Sequence, residues 1–415
     1  MKKIIMSAVA LTAIMGSVST VSAADGINIL NDIEFTGQIR PRYEHVEVKD
    51  SSKDAANAFT ARTHLKLKAG LLGVDGLSTT IGIQSVNNFG SNGYNSTDNG
   101  QGQYETIKDP NFAMLSEASI DYKIGKTALH AGRSQVNLDN QRFIGTVGWR
   151  QVERSYDTVY AADNSIENLN LLAAYVYGYQ GVGASDTADT SSVLLNAKYK
   201  VMDELTVTGY GYLLSSISDT YGLALTGKID AGAKLTYRAE YAVQKDATLT
   251  YGSALAAQDV KADATYINLD LGANISGILL GANYEVLSGS DTGGKTAFNP
   301  ALGTNHKFNG WADVFYVASV PTGGLQDLNV RAGYKTKDFG KFLAVYHMFT
   351  ADTDMASTAG LTNDLGSEFD AVYVNAIPGF TNLKGLLKAA YYMGGEATGY
   401  TNDKAVAWAQ LDYKF

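Results

Sequence analysis

The residue types best suited to chemistry in this chain are nine arginines: Arg40, Arg42, Arg62, Arg133, Arg142, Arg150, Arg154, Arg238 and Arg331. All but Arg238 and Arg331 precede residue 155, and Arg133, Arg142, Arg150 and Arg154 surround the stretch Leu138–Gln151. A guanidinium stays charged at physiological pH and grips carboxylates through a planar fork. Glu117, Asp121 and Lys123 share the polar face of the segment before that stretch. A basic cluster opposed by carboxylates across a narrow aqueous space creates a transverse field, which sorts solutes by charge. If the same groups pair with each other, they hydrate a wall and hold a loop in place.

Other chemistries find little support. The five histidines, His45, His64, His130, His306 and His347, form no HExxH or comparable metal spacing. Asp352 and Asp354 are close in sequence but lack the ligand spacing of a calcium loop. Gly90-Ser-Asn-Gly93 has no phosphate-loop pattern. The sequence points to no enzyme, cofactor or metal. The net charge of −9 becomes more negative once Lys2 and Lys3 are removed, which argues against nucleic acid as a partner.

The elements that must carry these charges are strands. Arg40 and Arg42 alternate with Ile39 and Tyr43; Arg62 alternates with Ala61 and Leu65. Arg238 and Glu240 oppose Leu235, Tyr237 and Ala239, and Asn268 and Asp270 oppose Ile267, Leu269 and Leu271. This period-two pattern suits a soluble sandwich and a membrane barrel equally. The chain ends separate the two. Lys2 and Lys3 precede an apolar run to about Met15, and Val21-Ser-Ala23 offers a cleavage site, so residues 1–23 read as a signal peptide. At the other end, Lys404–Phe415 is a strand with an apolar face ending on Phe415, the kind of terminus an outer-membrane assembly machinery reads. No cysteine is present, so an exported fold must rest on hydrogen bonds and burial. Abundant Tyr and Gly with five Pro suit aromatic girdles and long ladders.

Residues 24–415 are therefore expected to form one all-β, transmembrane antiparallel barrel in the bacterial outer membrane. Tight turns are expected at 74–76, 125–126, 202–204, 227–230 and 276–277, and long polar loops at 90–111, 181–190, 245–261, 289–307 and 351–366. Short periplasmic turns alternating with longer extracellular loops would give this pattern. With both ends periplasmic the strand count is even. Residues 308–318 then belong to an extracellular excursion from Ser288 to Gln326, leaving eighteen strands and placing Trp149 and Trp311 off the lipid face. Pro41 interrupts an otherwise clean strand and suggests a bulge near the rim.

The stretches Asn137–Gly145 and Gly148–Glu153 resemble the alginate export family of outer-membrane proteins, and Phe308–Phe315, Ala344–His347 and Glu368–Asp370 extend the likeness. The resemblance implies an eighteen-strand monomeric barrel in which Arg142 and Arg150 face a charged conduit. It does not carry alginate as the substrate, because many similar sequences look like general porins. The expectation is a passive porin for small hydrophilic solutes or ions, with outer-membrane lipids and the assembly machinery as partners. Export of an anionic polysaccharide such as alginate is the alternative. The pore-lining set is Arg40, Arg42, Arg62, Glu117, Asp121, Arg133, Arg142, Arg150, Arg154, Arg238 and Arg331.

Overall fold

The computed structural model describes residues 29–245, 263–289, 297–315 and 320–415; the expected signal peptide and most of the expected 245–261 loop lie outside the described residues. The described residues form eighteen strands. The first nine are β1 (Leu30–Val48), β2 (Ala56–Leu71), β3 (Leu77–Asn87), β4 (Ala113–Ile124), β5 (Thr127–Ser134), β6 (Ser155–Asp163), β7 (Leu169–Gln180), β8 (Thr187–Met202) and β9 (Leu205–Leu214). The second nine are β10 (Ser218–Asp230), β11 (Lys234–Lys245), β12 (Asp263–Ile275), β13 (Ile278–Ser288), β14 (Gly324–Thr336), β15 (Gly340–Ser357), β16 (Gly360–Ala376), β17 (Leu383–Met393) and β18 (Lys404–Lys414). Each pairs antiparallel with its sequence neighbour, and β1 pairs with β18 to close the barrel. Closure removes the unpaired strand edges that would otherwise need covering.

The closing seam depends on one glycine. Gly37 and Phe415 exchange backbone hydrogen bonds at 2.8 and 3.0 Å. A Cβ at Gly37 would collide with the Phe415 ring. That ring lies 5.9 Å from the Phe35 ring and 5.7 Å from the Tyr413 ring.

The alternation sets the two faces as expected. Leu269 and Leu271 are exposed outside at 51% and 64%, whereas Glu240 and Asn268 on the opposite face are 4% exposed. Outward tyrosines form two bands. Tyr199, Tyr334 and Tyr413 lie near one end, and Tyr177, Tyr221 and Tyr391 lie near the other. Such bands flank the apolar belt of a membrane barrel. Leu269 is the central residue of β12. Leu269→Arg should therefore cost about 2–4 kcal/mol of folding stability in bilayers. Urea titration in liposomes, followed by gel mobility of the unheated protein, checks this; an unchanged midpoint would place Leu269 in water.

The start of β1, the end of β18 and the short turns share one end of the barrel, here called the turn side; the opposite end is the loop side. Several expectations need correction. Residues 227–230 belong to β10, and the tight turn is 231–233. The expected loop 351–366 is the far part of the β15–β16 hairpin, joined by Thr358-Ala359. Its polar residues stand beyond the apolar belt, where neither face must be greasy, so the alternation fades while the pairing resumes after two register shifts, between Met348 and Thr350 and between Thr350 and Met355. Loop 181–190 shrinks to 181–186, since β8 begins at Thr187. Pro41 makes no bulge. It pairs in register with Ala61 of β2, and the β1–β18 ladder simply skips from Ile39 to Arg42 at the residue with no N–H to donate. Residues 308–315 form no strand and follow the short 3-10 turn at Asn305–Lys307, as the even count requires.

Candidate functional site

Among the described residues, loop-side connections fold into the lumen and two of them interlock. Loop A, residues 135–154, joins β5 to β6; loop B, residues 297–315, belongs to the connection from β13 to β14. They meet through an isolated parallel bridge between Ile144 and Leu302. Gly145 N donates to Leu302 O at 2.9 Å, and Thr304 N donates to Gln141 O at 2.9 Å. Arg154 Nη1 donates to Leu302 O at 2.7 Å, tying the base of loop A to loop B. Any side chain at Gly303 would strike the Arg142 carbonyl oxygen, so the close approach needs glycine there. Phe143 packs against Tyr266 and Phe298, giving the assembly an apolar centre inside a polar lumen.

The wall reaches in to hold loop A. Arg40 Nη1 donates to Gly148 O at 3.0 Å, and Arg40 Nη2 donates to Arg150 O at 2.5 Å. Arg42 Nη2 donates to Trp149 O at 2.6 Å, with its guanidinium 4.1 Å from the Trp149 ring. Two guanidiniums of β1 thus satisfy a turn of carbonyls that would otherwise be buried without donors. Arg150 forks onto Glu44 at 3.1 Å and reaches Asp313 of loop B at 3.4 Å. Arg142 pairs with Glu285 of β13 at 2.8 Å and donates to Asn309 at 2.8 Å. Arg62 pairs with Glu153 at 2.5 Å. Asp109, from the connection between β3 and β4, accepts from Gln151 N at 2.8 Å and lies 3.7 Å from Arg42.

The three tryptophans of the chain gather at a second anchor. Lys388 of β17 places its ammonium 4.0 Å from the Trp149 ring, 4.1 Å from Trp311 and 4.9 Å from Trp408. Its Nζ donates to His306 Nε2 at 2.6 Å, and His306 Nδ1 donates to Asp313 at 2.8 Å. Burial pushes His306 down to about 3, so the ring is neutral and bridges ammonium to carboxylate. Burial alone would raise the Asp313 carboxyl, but His306 and Arg150 outweigh it and hold it well below the usual carboxylate range. For Glu153 burial is likewise outweighed, chiefly by Arg62.

The expected pore-lining residues fall into four places. Arg40, Arg42 and Arg62 face inward and bind loop A. Arg142, Arg150 and Arg154 are in loop A itself. Glu117, Asp121, Arg238 and Arg331 face the lumen on the turn side, paired with Lys66 at 2.9 Å, His130 at 2.7 Å, Glu240 at 2.7 Å and Asp270 at 2.6 Å. Arg133 is a correction. It sits level with Ala118 and shares the outward face of Leu129, forking onto Asp157 at 2.7 Å. It does not line the lumen.

Sequence reasoning missed Glu44, Glu285, Asp313, His306 and Lys388. Glu44 and Lys388 were visible as polar residues on inward faces; their loop partners were not, being far away in sequence. His347 lies 2.9 Å from Asp327 and 3.5 Å from Asp370. Among the described residues no group of His, Asp or Glu is arranged to hold a metal.

A closed barrel of eighteen antiparallel strands, apolar outside and polar inside, has the architecture of outer-membrane porins. Its fold is similar to OpdG of Pseudomonas aeruginosa (TM-score 0.71, 16% identity, 92% of this chain and 98% of that one). OpdK of the same organism, solved with vanillate, gives 0.70 at 13% identity over 92% and 98%. OccAB4 of Acinetobacter baumannii gives 0.68 at 14% over 94% and 100%. No family model and no curated protein sequence matches, so the resemblance to the alginate export family gains no support there.

Proposed function

We propose that this chain is a porin of the bacterial outer membrane that passes small hydrophilic solutes or ions by passive diffusion. The observation that carries the reading is the pairing of an apolar outer belt with a charged lumen narrowed by loops A and B. A structural or adhesive barrel has no need to line its interior with charge. The constriction also weighs against export of a polymeric anion, because Arg40, Arg42, Arg142 and Arg150 spend their donors on loop carbonyls and carboxylates. The likeness in fold to OpdK, solved with vanillate, suggests that solutes of that size are worth testing. Residues 1–23 would direct export, and Phe415 would present the terminal strand to the assembly machinery.

The test is reconstitution of the purified barrel in a planar bilayer. Stepwise ohmic conductance, partly blocked by a permeant solute such as vanillate, is the expected result. A folded, inserted barrel without conductance would overturn the proposal.

A further inference from the structure

Charge is segregated along the barrel axis. On the turn side, six downward strands carry an inward lysine within four residues of their end: Lys68, Lys123, Lys200, Lys228, Lys335 and Lys414. Upward strands add Lys234, Lys341 and Lys384 at their first or second residue. Four share the face of a lumen residue already placed, Lys68 with Arg62, Lys123 with Asp121, Lys335 with Arg331 and Lys414 with Trp408, and the others follow the same alternation on their strands. Carboxylates facing this vestibule are fewer. Glu34, Glu117, Asp121, Asp230, Glu240, Asp270 and Asp412 face it, and Asp203 in the adjoining turn pairs with Lys200 at 2.5 Å. Among the described residues the loop side has the opposite balance. Asp98, Asp186, Asp352, Asp354, Glu396 and Asp403 stand there, against Lys49, Lys53, Lys108 and Lys245.

Resting on the porin reading, we infer that the channel is electrically bipolar: its lysine-lined turn-side vestibule collects anionic solutes, its acidic mouth collects cations, and the pore therefore rectifies. Fixed charge on a narrow wall recruits mobile ions of opposite sign. When the loop side is positive, cations are driven in from the acidic mouth and anions from the basic vestibule. Both carriers then accumulate at the constriction and current is high. With the opposite polarity both are withdrawn and current falls. The lysines of the vestibule are specificity determinants for anionic solutes approaching from the turn side.

Sidedness can be fixed because the chain has no cysteine and Ala359 is exposed at the tip of the β15–β16 hairpin. Ala359→Cys, reacted with a maleimide polymer from one chamber, reports which way each channel inserted. In about 0.1 M KCl, current with the loop side positive should exceed the reverse by about twofold or more, and the ratio should approach one near 1 M, where screening acts within about 3 Å. Combining Lys228→Gln, Lys234→Gln, Lys335→Gln and Lys341→Gln should flatten the low-salt ratio while the channel stays open. A ratio near one at low salt, the opposite sign, or a ratio unaffected by the four substitutions would overturn the inference and leave the porin reading standing. Absence of any conductance from the folded wild-type barrel would remove both.

Discussion

Replacing Arg142 and Arg150 together with alanine should leave a folded barrel that conducts more and gates noisily, with little change in reversal potential. Both guanidiniums are buried, and their partners Glu285 and Glu44 are 2% exposed. Removing one member of a buried pair strands the other charge and costs about 3–5 kcal/mol. That cost falls on loop docking, because the strand ladders that close the wall use neither side chain. Loops A and B would then come away from the wall and the constriction would widen. An arginine filter predicts something different: unchanged conductance with permeability shifted toward cations. The pairing in the structure favours the first outcome, because neither guanidinium is offered to a passing ion without a carboxylate beside it. Single-channel recording in a salt gradient, wild type against double mutant, decides between them. A shifted reversal potential with quiet, unchanged conductance would return these arginines to the filter.

Lys388→Met should release the second anchor and be visible in tryptophan fluorescence. A desolvated cation over an aromatic face contributes up to about 2 kcal/mol, and Lys388 faces three such rings, so the loss is expected to reach about 2–4 kcal/mol once overlap between the contacts is allowed for. Methionine keeps the bulk and removes the charge. His306 loses its donor and Asp313 loses a nearby cation. Since Trp149, Trp311 and Trp408 are the chain's only tryptophans, the emission of the whole protein reports on this one place. A red shift and greater quenching by iodide are expected, with strand content by circular dichroism unchanged. Emission identical to wild type would show that the rings hold one another without the ammonium.

The barrel was legible because its rules are local. Alternation assigned inner and outer faces from Arg40 to Lys414, and the shared side of the two chain ends forced the even count that turned Asn309-Gly-Trp311 into a loop. The interior was legible only in half. Arg142 and Arg150 stood out by density, but Glu285 and Glu44 lie more than a hundred residues away along the chain, and no period links them. Arg133 was misplaced because a charged residue near the basic stretch was grouped with it, whereas alternation from Leu129 through Ala131 puts it outside. There it survives through its fork onto Asp157, a charge-assisted pair that offsets the cost of an outward cation. The 351–366 misreading has the opposite cause, polar composition outweighing a hairpin that resumes its pairing at Met355–Thr362 after two register shifts.

The interlocking of loops A and B also orders events in time. Loop A follows β5, loop B precedes β14, and their joint partners are Arg40 on β1, Lys388 on β17 and Trp408 on β18. These contacts join the two extremes of the sequence, and contacts of such long separation form slowly because the chain entropy must be lost before they contribute. The interior therefore cannot set until the first and last strands have met. A barrel that closed out of register would present Arg40, Lys388 and Trp408 at the wrong heights, and the loops would have nothing to grip. Docking of the loops thus acts as a late proof that the cylinder has been assembled correctly, and an incorrectly zipped seam would leave the lumen unobstructed.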